Sequence, residues 1–178
     1  MKIIATLFVV TAILTYSCTS ELDKNAYPNL IADLQNSIEV EREIDTNYFL
    51  SIHDMVAICE NSVCNESDEY LLSLVEKKIK QQKSQFKRVV KKIYKNDELQ
   101  YQYLKSDSIG GIVKGNHYID VALYYQQISK PEKLKIFKFE MIVVNGKYRY
   151  IDDINKTSEK SWLNHVKSKQ IEIGLIEE

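Results

Sequence analysis

The sequence is poor in glycine, proline, cysteine and histidine. Five glycines and two prolines among 178 residues leave few points at which a helix or strand must break, which favours long elements. The three histidines and three cysteines do not show the spacing of zinc ligands, and there is no nucleophile elbow or phosphate-binding glycine loop. The sequence therefore predicts no metal, no cofactor and no motif-based catalytic site.

A large charge of one sign and a long apolar run are also missing. The net charge is −1, so the composition gives no reason to expect a nucleic acid as partner. The apolar stretch at residues 3–14 (IIATLFVVTAIL) is shorter than the roughly 20 residues that span a bilayer. Apolar residues make up 44% and charged residues 28% of the chain, which is the balance of an ordinary globular domain.

The N-terminal segment has the size and order of a signal peptide. The basic start Met1-Lys2 precedes the apolar stretch, which leads through TYS to Cys18. The segment resembles the lipobox of bacterial lipoproteins, in which a small residue, here Ser17, precedes a cysteine that is acylated and becomes the new N-terminus. The usual leucine is replaced by Thr15. The resemblance implies a signal peptide at 1–17, a lipid on Cys18 and a place in the bacterial cell envelope, on the periplasmic or outer-membrane side.

Two alternatives stay open for this segment. An ordinary signal peptidase could cut after Ser17 and release a soluble secreted protein, or the segment could be a buried N-terminal strand. Acylation of Cys18 would account for the odd number of cysteines, which is awkward in an exported protein. It would leave Cys59 and Cys64 (CENSVC), and we predict that these two form a disulfide.

Residues 18–28 are interpreted as a tether and residues 29–178 as a single domain. From residue 29 to Cys59, apolar residues recur at helical spacing, which predicts one long helix or two helices broken near 44–46. Ser67 or Asp68 can cap a second amphipathic helix that ends near Lys95. The apolar positions of this second helix are Leu72, Val75, Ile79, Phe86, Val89 and Ile93.

Charge is unevenly distributed over the predicted helices. Residues 18–69 hold twelve acids and two bases, a net of −10, whereas residues 70–95 hold nine bases and one acid, a net of +8. One interpretation is that two antiparallel helices of opposite sign attract each other. The other is that the basic helix faces anionic lipid or a polyanion.

The second half of the chain has the two-residue period of strands. Leu99, Tyr101 and Tyr103 alternate with polar residues. Residues 108–116 carry three glycines around Ile112-Val113 and are interpreted as turns, with a short strand as an alternative. A further strand is predicted at 133–144. One face is predicted to carry Ile119, Val121, Leu123 and Tyr125. With a short helix around Trp162, these elements predict an α+β fold, in which N-terminal amphipathic helices pack on a curved antiparallel sheet of about four strands.

Asn145-Gly146 is the strongest hairpin signal in the chain. A two-residue turn there would pair Met141 with Tyr150, Phe139 with Asp152 and Lys138 with Asp153. The inner face would then hold a group of side chains that could line a pocket: Phe139, Met141, Tyr148, Tyr150 and Asp152.

Burial on that face would make Asp152 a weak candidate for proton transfer. The alternative is a strand that ends or bulges at Asp152-Asp153, with both carboxylates in water. His53, His117 and His165 are interpreted as surface or turn residues.

Residues 44–154 resemble the cone-shaped domains of the ketosteroid-isomerase-like and nuclear-transport-factor-like superfamily. The likeness rests on a basic helix (EYLLSLVEKKIKQQKSQFKRV), a run of antiparallel strands and a closing hairpin (FKFEMIVVNGKYRYIDDI). It implies a bent sheet around a helix, with an apolar pocket at the open end. It does not imply one function, because members include enzymes, binders and scaffolds.

The sequence favours a non-enzymatic envelope lipoprotein whose domain binds a small ligand or an envelope protein. It would contact the membrane through its N-terminal lipid. One alternative is an enzyme that uses Asp152 as a pocket carboxylate. Another is a structural subunit that assembles through its helical hairpin.

Overall fold

The computed structural model describes residues 26–62, 66–96, 98–113 and 116–172. This part of the chain is an α+β fold with a curved antiparallel sheet, as predicted. The helices are α1 (Ala26–Asn36), α2 (Ile52–Ser62), α3 (Asp68–Ile93) and α4 (Glu159–Glu172). The strands are β1 (Tyr94–Lys95), β2 (Glu98–Leu99), β3 (Tyr101–Val113), β4 (Asn116–Gln127), β5 (Lys130–Val144) and β6 (Lys147–Thr157).

The first predicted helical region forms two helices with a wide break between them. Helix α1 begins at Ala26, inside the predicted tether, and continues as a π-helix over Ser37–Glu41. The π-helix ends at Arg42, whose φ of 56° is left-handed. A 3₁₀ turn at Thr46–Tyr48 follows before α2. The rest of the tether and the predicted signal peptide lie outside the described residues.

Helix α3 is capped as predicted. The Ser67 side chain accepts a hydrogen bond from the Tyr70 backbone N–H. The buried stripe of α3 starts at Leu71, whereas Leu72 is 47% exposed, so the predicted apolar position was wrong by one residue. The stripe also includes Gln82, a polar residue that an apolar pattern cannot find.

The four long strands pair in chain order, β3-β4-β5-β6, and all are antiparallel. Asn145 and Gly146 both have positive φ, at 50° and 71°, as the predicted two-residue turn requires. Strand β3 runs straight through Gly110-Gly111, so the turn predicted there was wrong. Pairing of this segment along its length with β4 overrides the local turn preference of glycine.

Both faces of the sheet are covered by helices. The inner face packs on α1 and α3 and includes Val121, Leu123 and Tyr125 with Ile119 at its margin, which confirms the predicted face of β4. The outer face packs on Trp162 of α4 at one end and on α2 at the hairpin end. Lys138, which the predicted hairpin places on the face opposite the aromatic side chains, is therefore only 14% exposed.

The segment between α1 and α2 is fixed to the last strand. Phe49 forms an isolated parallel bridge with Tyr150 of β6. The Tyr48 and Phe49 rings lie 5.8 and 6.0 Å from the Tyr150 ring. This contact joins the segment between α1 and α2 to β6, the last strand of the sheet.

Candidate functional site

The hairpin register follows the prediction near the turn and departs from it further on. Met141 pairs with Tyr150 as predicted, but Phe139 pairs with Ile154 and Lys138 with Asn155. A register shift between Phe139 and Met141 places residues 151–153 opposite Glu140 as a bulge. The predicted pairing of Phe139 with Asp152 was therefore wrong, and the alternative of a bulge at Asp152-Asp153 is confirmed.

Asp152 consequently does not face the aromatic layer. Its side chain is 52% exposed and lies 2.6 Å from the Lys78 ammonium. The other four residues of the predicted pocket, Phe139, Met141, Tyr148 and Tyr150, all belong to the packed inner core. A cavity of about 340 Å³ lies elsewhere, at the β5 and β6 ends near Leu134 and Ser158.

Glutamines of α3 hold the bulge. The Gln81 and Gln85 amides each donate to the Asp153 carboxylate at 2.7 Å. Gln82 donates to the Asp152 carbonyl, and Gln85 accepts from the Ile154 backbone N–H. These side chains satisfy backbone groups that regular strand pairing would otherwise use.

The predicted lipidation and disulfide residues lie mostly outside the described part of the chain. Cys18 and Cys64 are not among the described residues. Cys59, in α2, is disulfide-bonded. The pairing of Cys59 with Cys64 stays a prediction.

The sequence missed a polar cluster that joins α4 to the outer face of the sheet. His165 Nε2 lies 2.6 Å from Asp120 Oδ2, and the His165 ring stacks on Trp162 at 5.6 Å. The indole N–H of Trp162 donates to Asp107 Oδ2 at 2.8 Å. His165 is therefore not the solvated helix residue that was predicted, whereas His53 is exposed as expected and His117 half-buried.

This outer cluster is satisfied by its own members. Glu140, which pairs with Asp120 across β4 and β5, forms an ion pair with Lys138. In the described ranges, no group of three or more His, Cys, Asp or Glu residues is arranged to hold a metal. The cluster can therefore fix α4 in place, and each of its carboxylates already has a hydrogen-bond or ion-pair partner within the protein.

A second cluster lies where the π-helix meets the sheet. One Glu39 carboxylate oxygen and the Tyr125 hydroxyl are both buried, and neither makes a hydrogen bond of normal geometry with another described residue. Burial raises the pKa of Tyr125, and the Glu39 charge raises it further. Tyr94 donates to the Glu39 carbonyl and carries the Arg42 guanidinium 4.1 Å above its ring. Irregular helical turns of this type are frequent at functional sites.

The solvent-facing side of α3 carries many cations. We call it the basic face, and it consists of seven exposed cations: Lys77, Lys80, Lys83, Lys87, Arg88, Lys91 and Lys92. Within the described residues, the ion pairs include none that involves any of these seven. Among the described residues, the one ion pair of α3 is that of Lys78 with Asp152.

Acidic residues of the N-terminal half form ion pairs and hydrogen bonds with groups that do not belong to the basic face. Asp54 pairs with Arg149, Asp33 accepts from Tyr48, and Glu41 accepts from Asn36. The predicted attraction between helices of opposite sign therefore forms no ion pair with the basic face in the described part of the chain. Lys83 lies 5.6 Å from the centre of the Phe49 ring, whereas the other six cations have no charged or aromatic partner among the described residues.

Fold and surfaces together define a small α+β domain with a packed sheet and one cationic helix face. Comparison of the chain with protein-family models, curated proteins and solved structures finds no match in any of the three. Among the described helices, none is both long enough and apolar enough to cross a membrane. The functional argument therefore rests on the sites described above.

Proposed function

We propose that this chain is an envelope lipoprotein, anchored through an acylated Cys18, whose domain is a non-catalytic binding module. The basic face of α3 is its interaction surface. The observation that supports this proposal is the set of seven exposed cations without ion pairs among the described residues. A surface of this kind attracts anionic partners, and its attraction falls as salt is added.

The exposed position of Asp152 favours a binding module over an enzyme. A pocket carboxylate needs burial to raise its pKa into a useful range, and Asp152 is half exposed and paired with Lys78. The third hypothesis, a structural subunit, predicts that the protein forms a multimer in solution. Sedimentation of the purified protein as a multimer, with no change when the basic face is altered, would favour that hypothesis.

The anchor is tested by metabolic labelling with palmitate. Wild-type protein should incorporate the label, and Cys18→Ala should incorporate none. Equal labelling of the two proteins, or no label in either, would contradict the anchor.

The interaction surface is tested by charge reversal. Lys80→Glu, Lys87→Glu and Lys91→Glu together should abolish retention of envelope partners by the purified protein. The control carries Lys130→Glu, Lys147→Glu and Lys160→Glu, which make the same change in net charge at exposed positions elsewhere. Equal loss in both triple variants would show that net charge, rather than the basic face, determines retention.

Small-ligand binding at Glu39 and Tyr125 is a second candidate function. It is favoured by one buried Glu39 oxygen and the Tyr125 hydroxyl, which interact with each other and make no further hydrogen bond with described residues, because buried polar groups with unused hydrogen-bonding capacity are costly. Native mass spectrometry of envelope-purified protein should find a bound small molecule that Tyr125→Phe loses and Tyr124→Phe, on the opposite face, retains. Identical spectra for wild type and Tyr125→Phe would contradict this candidate.

A further inference from the structure

The basic face extends along the exposed side of α3. Lys77, Lys80, Lys87 and Lys91 recur at helical spacing, and Ser84 lies between them on the same side of α3. From Lys77 to Lys91 the helix rises about 21 Å. The face is therefore a cationic strip that matches a flat, extended partner better than a small anion.

An exposed aromatic residue continues the strip at its N-terminal end. Tyr70 is 53% exposed and lies seven residues, or about two turns, before Lys77 on the same side of α3. Tyrosine favours the headgroup region of a bilayer, where its ring is in apolar surroundings and its hydroxyl in water. A soluble polyanion offers no such layered environment.

Helix α1, which begins at Ala26, lies on the same side of the sheet as the basic face. Helices α1 and α3 both pack on the inner face of the sheet, through residues that include Leu34 and Phe86. Their outward sides are therefore directed away from the sheet together. The seven residues between Cys18 and Ala26 allow the domain to move roughly 30 Å at most from an anchored Cys18.

We propose that the basic face docks on the anionic headgroup surface of the membrane that holds the anchor, with α3 parallel to the bilayer. This inference rests on the proposed lipid anchor, because the anchor keeps the domain within reach of the surface. A tethered contact acts at a high effective concentration, so a weak attraction is enough to hold it. Each cation near an anionic bilayer contributes roughly a fivefold gain in binding.

The test uses the full lipidated protein with a fluorescent label on Ser84→Cys, reconstituted on vesicles that carry a headgroup quencher. Vesicles of neutral phosphatidylcholine are compared with vesicles that contain phosphatidylglycerol. The label should be quenched on anionic vesicles and not on neutral ones, and salt at about 0.5 M should reverse the quenching, because it shortens the screening length to a few ångströms. The control label is on Ser168→Cys, an exposed position of α4 on the other side of the sheet, and should stay unquenched.

Charge reversal then identifies the residues responsible. Lys80→Glu, Lys87→Glu and Lys91→Glu together should lower the docked-to-undocked ratio about a hundredfold or more. The scattered variant Lys130→Glu, Lys147→Glu and Lys160→Glu should lower it much less. Circular dichroism of both variants checks that α3 remains folded.

Failure of the anchor and failure of docking have different signatures. Protein that does not float with neutral vesicles lacks the anchor, and this result would contradict the proposed function. Protein that floats with both vesicles but shows equal Ser84 quenching on them would overturn the docking proposal alone. Protection of Ser84 by soluble polyphosphate, without quenching on anionic vesicles, would assign the basic face to a soluble polyanion and would also overturn it.

Discussion

Asp120 Oδ2 lies 2.6 Å from His165 Nε2, so a strand in the middle of the sheet is joined directly to the C-terminal helix. Asp120 is 8% exposed, and the His165 ring also stacks on the buried Trp162. The pair therefore combines a charge-assisted contact with aromatic packing. The pair and the Trp162–Asp107 hydrogen bond both link α4 to the sheet.

Removal of His165 should loosen α4. We expect His165→Ala to lower the free energy of unfolding by about 1 to 2 kcal/mol, since it removes both the Asp120 contact and the Trp162 stack. His53→Ala, at an exposed position of α2, should change it by less than about 0.5 kcal/mol. Urea unfolding followed by the fluorescence of Trp162, the single tryptophan, measures both. Equal effects of the two substitutions would contradict the role of the pair.

Removal of Asp54 should reduce the pH dependence of stability. Burial by itself raises the pKa of Asp54, but hydrogen bonds from Ser51 and the Arg149 guanidinium outweigh it and hold the pKa below its ordinary value of 3.8. A carboxyl with a lowered pKa stabilises the fold above its ordinary pKa, and this contribution is lost as the pH falls towards the folded value. Wild type should therefore lose more stability than Asp54→Asn between about pH 5 and pH 3.

At neutral pH, Asp54→Asn should cost about 3 kcal/mol, because it leaves the Arg149 guanidinium, 16% exposed, without its charge partner. Asp152→Asn is the matched control. Its pair with Lys78 is solvent-exposed and should contribute less than about 1 kcal/mol. Urea melts at several pH values give both numbers, and a pH-independent difference between wild type and Asp54→Asn would contradict the assignment.

Loss of the Tyr150 hydroxyl should stabilise the protein. The Tyr150 side chain is fully buried, and its hydroxyl has no hydrogen-bond partner among the described residues. Burial raises the pKa of Tyr150 well above its ordinary value, and nearby Asp45 adds to this. Tyr150→Phe should therefore raise the free energy of unfolding by up to about 1 kcal/mol.

Tyr48→Phe should have the opposite sign. The Tyr48 hydroxyl donates to Asp33 at 2.5 Å, and its loss should cost about 1 kcal/mol. Thermal melts of the two variants give the comparison. A destabilised Tyr150→Phe protein would mean that the hydroxyl is satisfied in solution.

Gly146→Val should cost about 1 to 2 kcal/mol through the backbone alone. Gly146 has a φ of 71°, and a Cβ atom placed there would meet nothing within 4 Å. A clash of the Cβ atom with other residues is therefore excluded as the cause, and the cost is that of a β-branched residue in the left-handed region. Lys147→Val, one residue later in the strand, is the control and should stay within about 0.5 kcal/mol of wild type. Equal urea midpoints for wild type and Gly146→Val would argue against the turn.

Local signals were sufficient to predict the hairpin and the inner face of β4. Turn residues such as Asn145-Gly146 and strict alternation act over a few neighbours, so a sequence displays them directly. The bulge at residues 151–153 has a different origin. It is held by Gln81, Gln82 and Gln85 of α3, and no local pattern in β6 indicates what lies across from it.

The candidate sites also divide into features that local sequence signals predict and features that depend on residues far apart in the chain. The run of lysines in α3 is visible in the sequence, and only its lack of ion pairs needed the structure. The Asp120–His165 contact joins residues 45 positions apart, and the Glu39–Tyr125 cluster depends on a π-helical turn that side-chain periodicity does not predict. The prediction of a turn at residues 108–113 was wrong for a related reason, because pairing with β4 outweighs the turn preference of two glycines.

The bridge between Phe49 and Tyr150 affects how the protein folds during synthesis, because its two partners are far apart in the sequence. The last residue of α1, Asn36, leaves the ribosome 111 positions before Lys147, the first residue of β6. Until β6 has emerged, Leu30, Leu34 and Ile38 have only part of the layer that buries them. The nascent chain therefore presents an apolar helix for most of its synthesis, which is the kind of segment that chaperones bind.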